Sequence, residues 1–198
     1  MAEQAKSEMR NHILKTAAGL FAVQGYERIS MREIAEACQI SKAGLYYHYK
    51  DKEDLFLAVL YDHLSRYEKL LTEIRSKSES ARDSISKFIR AVFTQLPIDD
   101  RSIFRLAQQD LVSIDQVSRA AFNQRYYDKF LTPIAEIIET GVSTNQIKAI
   151  DSHLGVWGLL GLMFPFFFAK FDNHSEDVEK IIDLIEMIFF DGIEFRPA

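Results

Sequence analysis

Residues 30–52, SMREIAEACQISKAGLYYHYKDK, read as two short helices joined by a tight turn. Ser30 and Glu33 stand at the spacing of a capping box, in which the hydroxyl takes the Glu33 amide and the carboxylate reaches back. Ile34, Ala35 and Cys38 share one face of the helix that follows, and Ala35 is small enough for a second helix to cross closely. Gln39-Ile40 makes the turn, and Ser41 caps a second helix of about two turns. In that helix Leu45 and Tyr49, four apart, point inward. Lys42, Ala43, Gly44, Tyr46, Tyr47 and His48 are left outside. Two tyrosines, a histidine and a lysine on a solvent face are more than solubility asks for. They suit a duplex, with a short helix end for the major groove and hydroxyl, imidazole and ammonium donors for flanking phosphates. The stretch is a helix-turn-helix. The expected division of labour places Lys42, Ala43, Gly44 and Tyr46 against bases, and Ser30, Arg32, Ser41, Tyr47, His48 and Lys52 against phosphates.

The chain around it has 198 residues, enough for a sizeable core and one or two domains. Its 8 Gly and 4 Pro are few and strand-like alternation is scarce, so the fold expected is all-α. The net charge of −5 speaks against nucleic acid until its distribution is considered. Residues 1–52 hold eight Lys/Arg against six Asp/Glu, whereas the remainder holds 16 against 23. A mildly basic end on an acidic body is compatible with DNA binding by that end alone. The single cysteine, Cys38, forms no disulfide within one chain and reads as a small buried apolar residue in a reducing cytoplasm. The charged N-terminus is unlike a secretory signal. Histidines 12, 48, 63, 153 and 174 share no metal-ligand spacing, and neither a phosphate loop nor a nucleophile elbow is present. No metal, no cofactor and no enzymatic activity are expected.

ILKTAAGLFAVQGYERIS at 13–30, MREIAEA at 31–37 and SKAGLYYHYKDKEDLF at 41–56 together resemble the DNA-binding domain of the tetracycline-repressor (TetR) family of bacterial transcriptional regulators. The motif covers about the first quarter of the chain. Two departures stand out: the family's usual turn glycine is Gln39, and the recognition helix carries Ala43-Gly44 where many members have glycine and a small polar residue. The resemblance implies a helix-turn-helix head at 1–52 and a helical ligand-binding and dimerisation body at 53–198, about nine helices in all. It also implies a homodimeric repressor released from a palindromic DNA operator by a small-molecule effector; because no carboxylate reads as interior, the effector expected is lipophilic and neutral or weakly polar. A long helix from Lys52 would join the two parts. The rival reading is a helical small-molecule or lipid carrier with a vestigial helix-turn-helix.

The body supports two further readings. Leu154–Ala169 is an uncharged run of 16 residues with Pro165 inside it, too short for a membrane span and apolar on every side. With the last helix it matches the family's mode of dimerisation, a four-helix bundle formed by two such helices from each subunit. Gly155, Gly158, Gly161, Ile181, Ile185 and Ile188 are the expected interface, the alternative being a large monomeric core. Of 15 phenylalanines, 14 follow residue 52. Phe93, Phe104, Trp157, Phe164 and Phe168, with Gln108, Asn123 and Tyr127 as polar members, fit an effector pocket and equally a packed core; the resemblance favours the pocket. Proline breaks are expected at Pro97 and Pro133, and an N-cap at Asp151.

Overall fold

The two helix starts of the helix-turn-helix are each closed by a side chain one turn away. Ser30 Oγ accepts from Glu33 N at 3.3 Å while Ser30 N donates to Glu33 Oε2 at 2.8 Å, completing the capping box. Ser41 Oγ accepts from Gly44 N at 3.0 Å. In the computed structural model, residues 2–97, 101, 106–167 and 176–193 are described. Phe104 and Phe168 lie outside the described residues, as does the side chain of Gln108.

The described chain is helical and contains no strand. In order come α1 (Ala2–Gln24), α2 (Met31–Ala37), α3 (Lys42–His48), α4 (Lys52–Lys77), α5 (Ala81–Thr94), α6 (Gln116–Tyr126), α7 (Thr132–Ser143), α8 (Ser152–Met163) and α9 (Glu176–Ile193). α1 starts earlier than its apolar repeat, which begins near Met9. α5 stops before Pro97, as the missing amide requires. Asp151 caps α8 by accepting from Leu154 N at 2.9 Å. The break expected at Pro133 takes a particular form: a π-helical turn, Tyr127–Leu131, joins α6 to α7. Thr132 N reaches back five residues to Tyr127 O. The wider turn accommodates a proline that lacks an N–H and crowds the carbonyl four residues earlier.

The chain forms two compact units, Met1–Ser65 with Ser102–Asn123, and Arg66–Arg101 with Gln124–Ala198. Neither boundary falls at residue 52. In the first unit Ile13, Ala17, Phe21, Ile34, Leu45, Leu55, Phe56 and Leu60 are almost wholly buried. Phe21 meets Phe56 edge-on at 5.1 Å, and Tyr26 lies 4.7 Å from Phe56. Cys38 is buried there, and its carbonyl accepts from His12 Nε2 at 3.3 Å. Burial pushes the Cys38 thiol up, keeping it protonated, as a small apolar residue should be. In the second unit α5, α7, α8 and α9 enclose Ile85, Phe88, Ile89, Val92, Ile134, Ile138, Leu159, Met163, Ile182 and Ile185. Arg75–Glu136 at 2.6 Å and Arg90–Glu179 at 2.7 Å pair across neighbouring helices at the surface of this unit.

Candidate functional site

In α3 only Leu45 is buried, with Tyr49 just beyond the helix end also turned inward. Ser41, Lys42, Ala43, Tyr46 and Tyr47 are exposed, while Gly44 and His48 are half-buried. Lys42 Nζ sits 5.7 Å over the Tyr46 ring, and Tyr47 meets His48 edge-on at 5.2 Å. Lys6, from α1, adds an ammonium 5.1 Å over the Tyr47 ring. Spacing within residues 30–52 had no means of finding Lys6, because α1 brings it in from outside the motif. The result is a cationic, aromatic surface on a short capped helix, the donor set that phosphates and base edges require.

Three residues expected at phosphates are engaged elsewhere. Ser30 Oγ also donates to Glu33 Oε2 at 2.6 Å, so its hydroxyl is committed on both sides to the cap. That bond, together with the one from Ser30 N, holds the Glu33 carboxyl below its ordinary range. Lys52 Nζ donates to Tyr26 O at 3.0 Å and lies 4.2 Å over the Tyr26 ring, clamping α4 to the turn after α1. Arg32 is exposed but pairs with Glu36 at 2.7 Å on the same helix. Gly44 has a structural part as well, since a Cβ there would come within 3.3 Å of the capping Ser41 Oγ.

The expected effector residues do not gather around one cavity. Trp157 is 50% exposed and Tyr127 42% exposed, and Asn123 is exposed too. Tyr127 stacks on His153 at 5.6 Å on the outside of the second unit. Phe93 is buried and Phe164 half-buried. Both belong to an interior aromatic row in which Phe93 and Phe164 each approach Phe167, at 6.0 and 6.2 Å. A second row joins Phe88, Phe130, Tyr67 and Tyr126. Burial drives the Tyr126 hydroxyl far up, so it stays neutral. Arg101 is 1% exposed, with its guanidinium 5.8 Å over Phe93. Standing after two aspartates in IDDRS, it reads in sequence as a solvated charge.

The expected interface divides in two. Gly155 faces inward, where a Cβ would come within 3.1 Å of Ile138 and Ile150, and Ile185 is buried in the core. These two belong to the subunit's own packing, because α8 is apolar all round and one side of it must serve the core. Gly158, Gly161 and Ile188 are exposed, and Ile181 is half-buried. Between α8 and α9 runs an open apolar groove of about 630 Å³, lined by Leu154, Gly158, Leu162, Ile188 and Phe189 among others. Leu154, Met187 and Ile188 stand 71, 54 and 45% exposed, an apolar surface larger than a solvated helix pair needs.

The sequence profile described as "Bacterial regulatory proteins, tetR family" matches residues 13–59. The HTH-type transcriptional regulator AcrR of Shigella flexneri is 37% identical over 207 residues, covering 99% of this chain and 96% of that one. The chain belongs to the tetR family of bacterial regulatory proteins. It is a helix-turn-helix transcriptional regulator. A second relative, the uncharacterized HTH-type transcriptional regulator YuxN of Bacillus subtilis, is 32% identical over 89 residues, which is 45% of this chain and 31% of that one. Among solved structures, AibR in complex with isovaleryl coenzyme A and operator DNA superposes with a TM-score of 0.77 at 23% identity, over 96% of this chain and 100% of that one. Among the described residues no helix is long and apolar enough to cross a membrane.

The tetR-type turn accounts for Gln39. Its φ is +57°, the left-handed region expected where other members carry glycine. Gln39 N donates to Glu36 O and Ile40 N to Ala35 O, each at 3.0 Å, which closes α2 in a Schellman motif. A side chain pays about 1 kcal/mol for this conformation, more than the extra unfolded-state freedom of glycine offsets. Gln39→Gly is therefore expected to raise stability by several tenths to about 1 kcal/mol, or about 2–4 °C in Tm at the upper end. Thermal denaturation of the two proteins measures it; a lower Tm for the glycine variant would show that Gln39 is held by contacts beyond its backbone.

Proposed function

We propose that the chain is a homodimeric, ligand-responsive repressor that grips a palindromic operator with two copies of α3 and leaves it when a small lipophilic effector binds the body. Residues 1–52 are its DNA-binding part and 53–198 its regulatory and dimerising part, and it works in the cytoplasm beside its DNA. The observation that carries the reading is the capped α2–α3 pair, with Lys42, Tyr46, Tyr47 and Lys6 on one outward surface. The unpartnered groove between α8 and α9 supports the dimer, since a two-fold operator demands a two-fold protein. AibR, captured with both operator DNA and an acyl thioester, supports an effector-controlled operator.

α4 is the expected lever, because one continuous helix passes from residues of the head to residues of the body. Recognition helices must stand about 34–36 Å apart to meet successive major grooves, so a shift of a few ångströms at α4 loses a half-site. A ligand does this only by binding the released arrangement more tightly.

The test is binding to DNA from upstream of the protein's own gene, followed across salt concentration. Lys42→Ala and Lys6→Ala are each expected to weaken binding to all sequences alike and to lower the salt slope by about one for each phosphate no longer neutralised. Ala43 variants are expected to change which sequence is preferred. Lys52→Ala is expected to act mainly through stability, since its ammonium ties α4 to Tyr26. Binding without salt dependence, or no binding to duplex DNA, would overturn the reading in favour of a carrier.

A further inference from the structure

We infer that Arg101 is the anion-binding residue of the effector site, so the effector is an organic acid, a lipophilic body carrying a carboxylate. This rests on the reading of the second unit as the effector-binding part. A guanidinium cannot shed its proton at any pH the protein works at, so burial leaves it a full cation. Arg101 is 1% exposed, and its Nε and Nη2 are buried without a hydrogen-bond partner. Among the described residues no carboxylate pairs with it, and its neighbours are the Phe93 face and Tyr67. Desolvation accordingly pulls its pKa down.

Nearby cations in the same unit are treated differently. Arg75, Arg90 and Lys129 each meet a glutamate within 2.6–2.8 Å and keep part of their side chains in water. A buried cation without a counter-charge costs stability, and buried donors left without a partner call for an explanation. The surroundings indicate what that is. Arg101 borders the row of Phe93, Phe167 and Phe164 and, through Tyr67, the row of Phe130 and Phe88. Phe130 lies in the π-helical turn, a distortion frequent at functional sites. A planar fork with two unused donors matches a carboxylate, and aromatic walls match a hydrocarbon.

The experiment uses the full chain and its thermal stability. Straight-chain carboxylates from acetate to dodecanoate are compared with the primary amides of the same length, on wild type, Arg101→Met and Arg101→Lys. In wild type the longer acids are expected to raise Tm with a half-saturating concentration at least about tenfold below that of their amides. Arg101→Lys is expected to keep a reduced preference, and Arg101→Met to bind acid and amide within about twofold of one another. Without any ligand, Arg101→Met is expected to melt at the same temperature as wild type or higher, because the uncompensated charge is gone. A clear loss of Tm in ligand-free Arg101→Met would make Arg101 a structural residue and overturn the proposal. So would a series in which no acid outperforms its amide on wild type. Operator binding by ligand-free wild type is measured separately: acid binding with no operator binding would leave the anion site standing and overturn the repressor reading.

Discussion

Gly158→Arg leaves the chain folded, makes it monomeric at micromolar concentration and lowers operator affinity by about two orders of magnitude or more. A Cβ at Gly158 meets nothing within 4 Å, so nothing inside the subunit resists the new side chain. The residue lines the apolar groove beside Leu154, Leu162, Ile188 and Phe189. If a second copy closes that groove, the arginine is trapped in an apolar interface without a partner, at a cost of several kcal/mol. Each 1.4 kcal/mol or so is a factor of ten in the dimer's dissociation constant. A monomer then holds one half-site and loses the advantage of two-point attachment. Light scattering and circular dichroism separate the two effects, because the variant is expected to keep its helicity and melting profile below the dimer's. A wild-type protein that is monomeric at micromolar concentration would end this account of the groove. A Gly158→Arg dimer with full operator affinity would move the interface elsewhere.

Gly141→Val is expected to cost about 3 kcal/mol of stability and Gly141→Ala about 1–3 kcal/mol, both by overpacking. A Cβ at 141 would lie 2.5 Å from Ile147 Cδ1 and 2.8 Å from Ala81 Cβ. The isoleucine tip can rotate away; Ala81 cannot, because its Cβ is fixed to the first turn of α5. The same corner is tied by backbone bonds from Gln146 and Ile147 to Gly141 O at 2.8 and 3.0 Å, and Asn145 takes a φ of +56° to make them. Ala81 N donates to Gln146 Oε1 at 3.1 Å, so the ends of α5 and α7 are joined at one point. Chemical denaturation measures the loss. A change in either variant smaller than about 0.5 kcal/mol, the ordinary range for an indifferent site, would show that the corner opens without strain.

What the chain's own spacing determined lies within one or two helical turns. Ser30 with Glu33, Ser41 with Gly44, and Asp151 with Leu154 are caps whose two partners stand three residues apart, so the pattern is complete in the letters. The inward faces of α1 and α3, Ile13, Ala17 and Phe21 in one and Leu45 in the other, follow from a period that a helix imposes. The left-handed conformation of Gln39 was legible only through the resemblance, which puts the family's usual turn glycine at this position.

Where the partner is distant in sequence, only the tertiary structure decided. α8 is apolar on all sides, so its pattern carries no phase; packing against Ile138 and Ile150 turned Gly155 inward, and Gly158 and Trp157 outward. Lys52 is a clamp because Tyr26 O, 26 residues away, lies within 3.0 Å of its ammonium. Arg101 follows two aspartates and looks solvated, yet it lies over Phe93 with buried donors. The physical reason is reach: capping and periodicity act over a few residues, whereas burial of a charge or choice of a helix face depends on which segments the folded chain brings together.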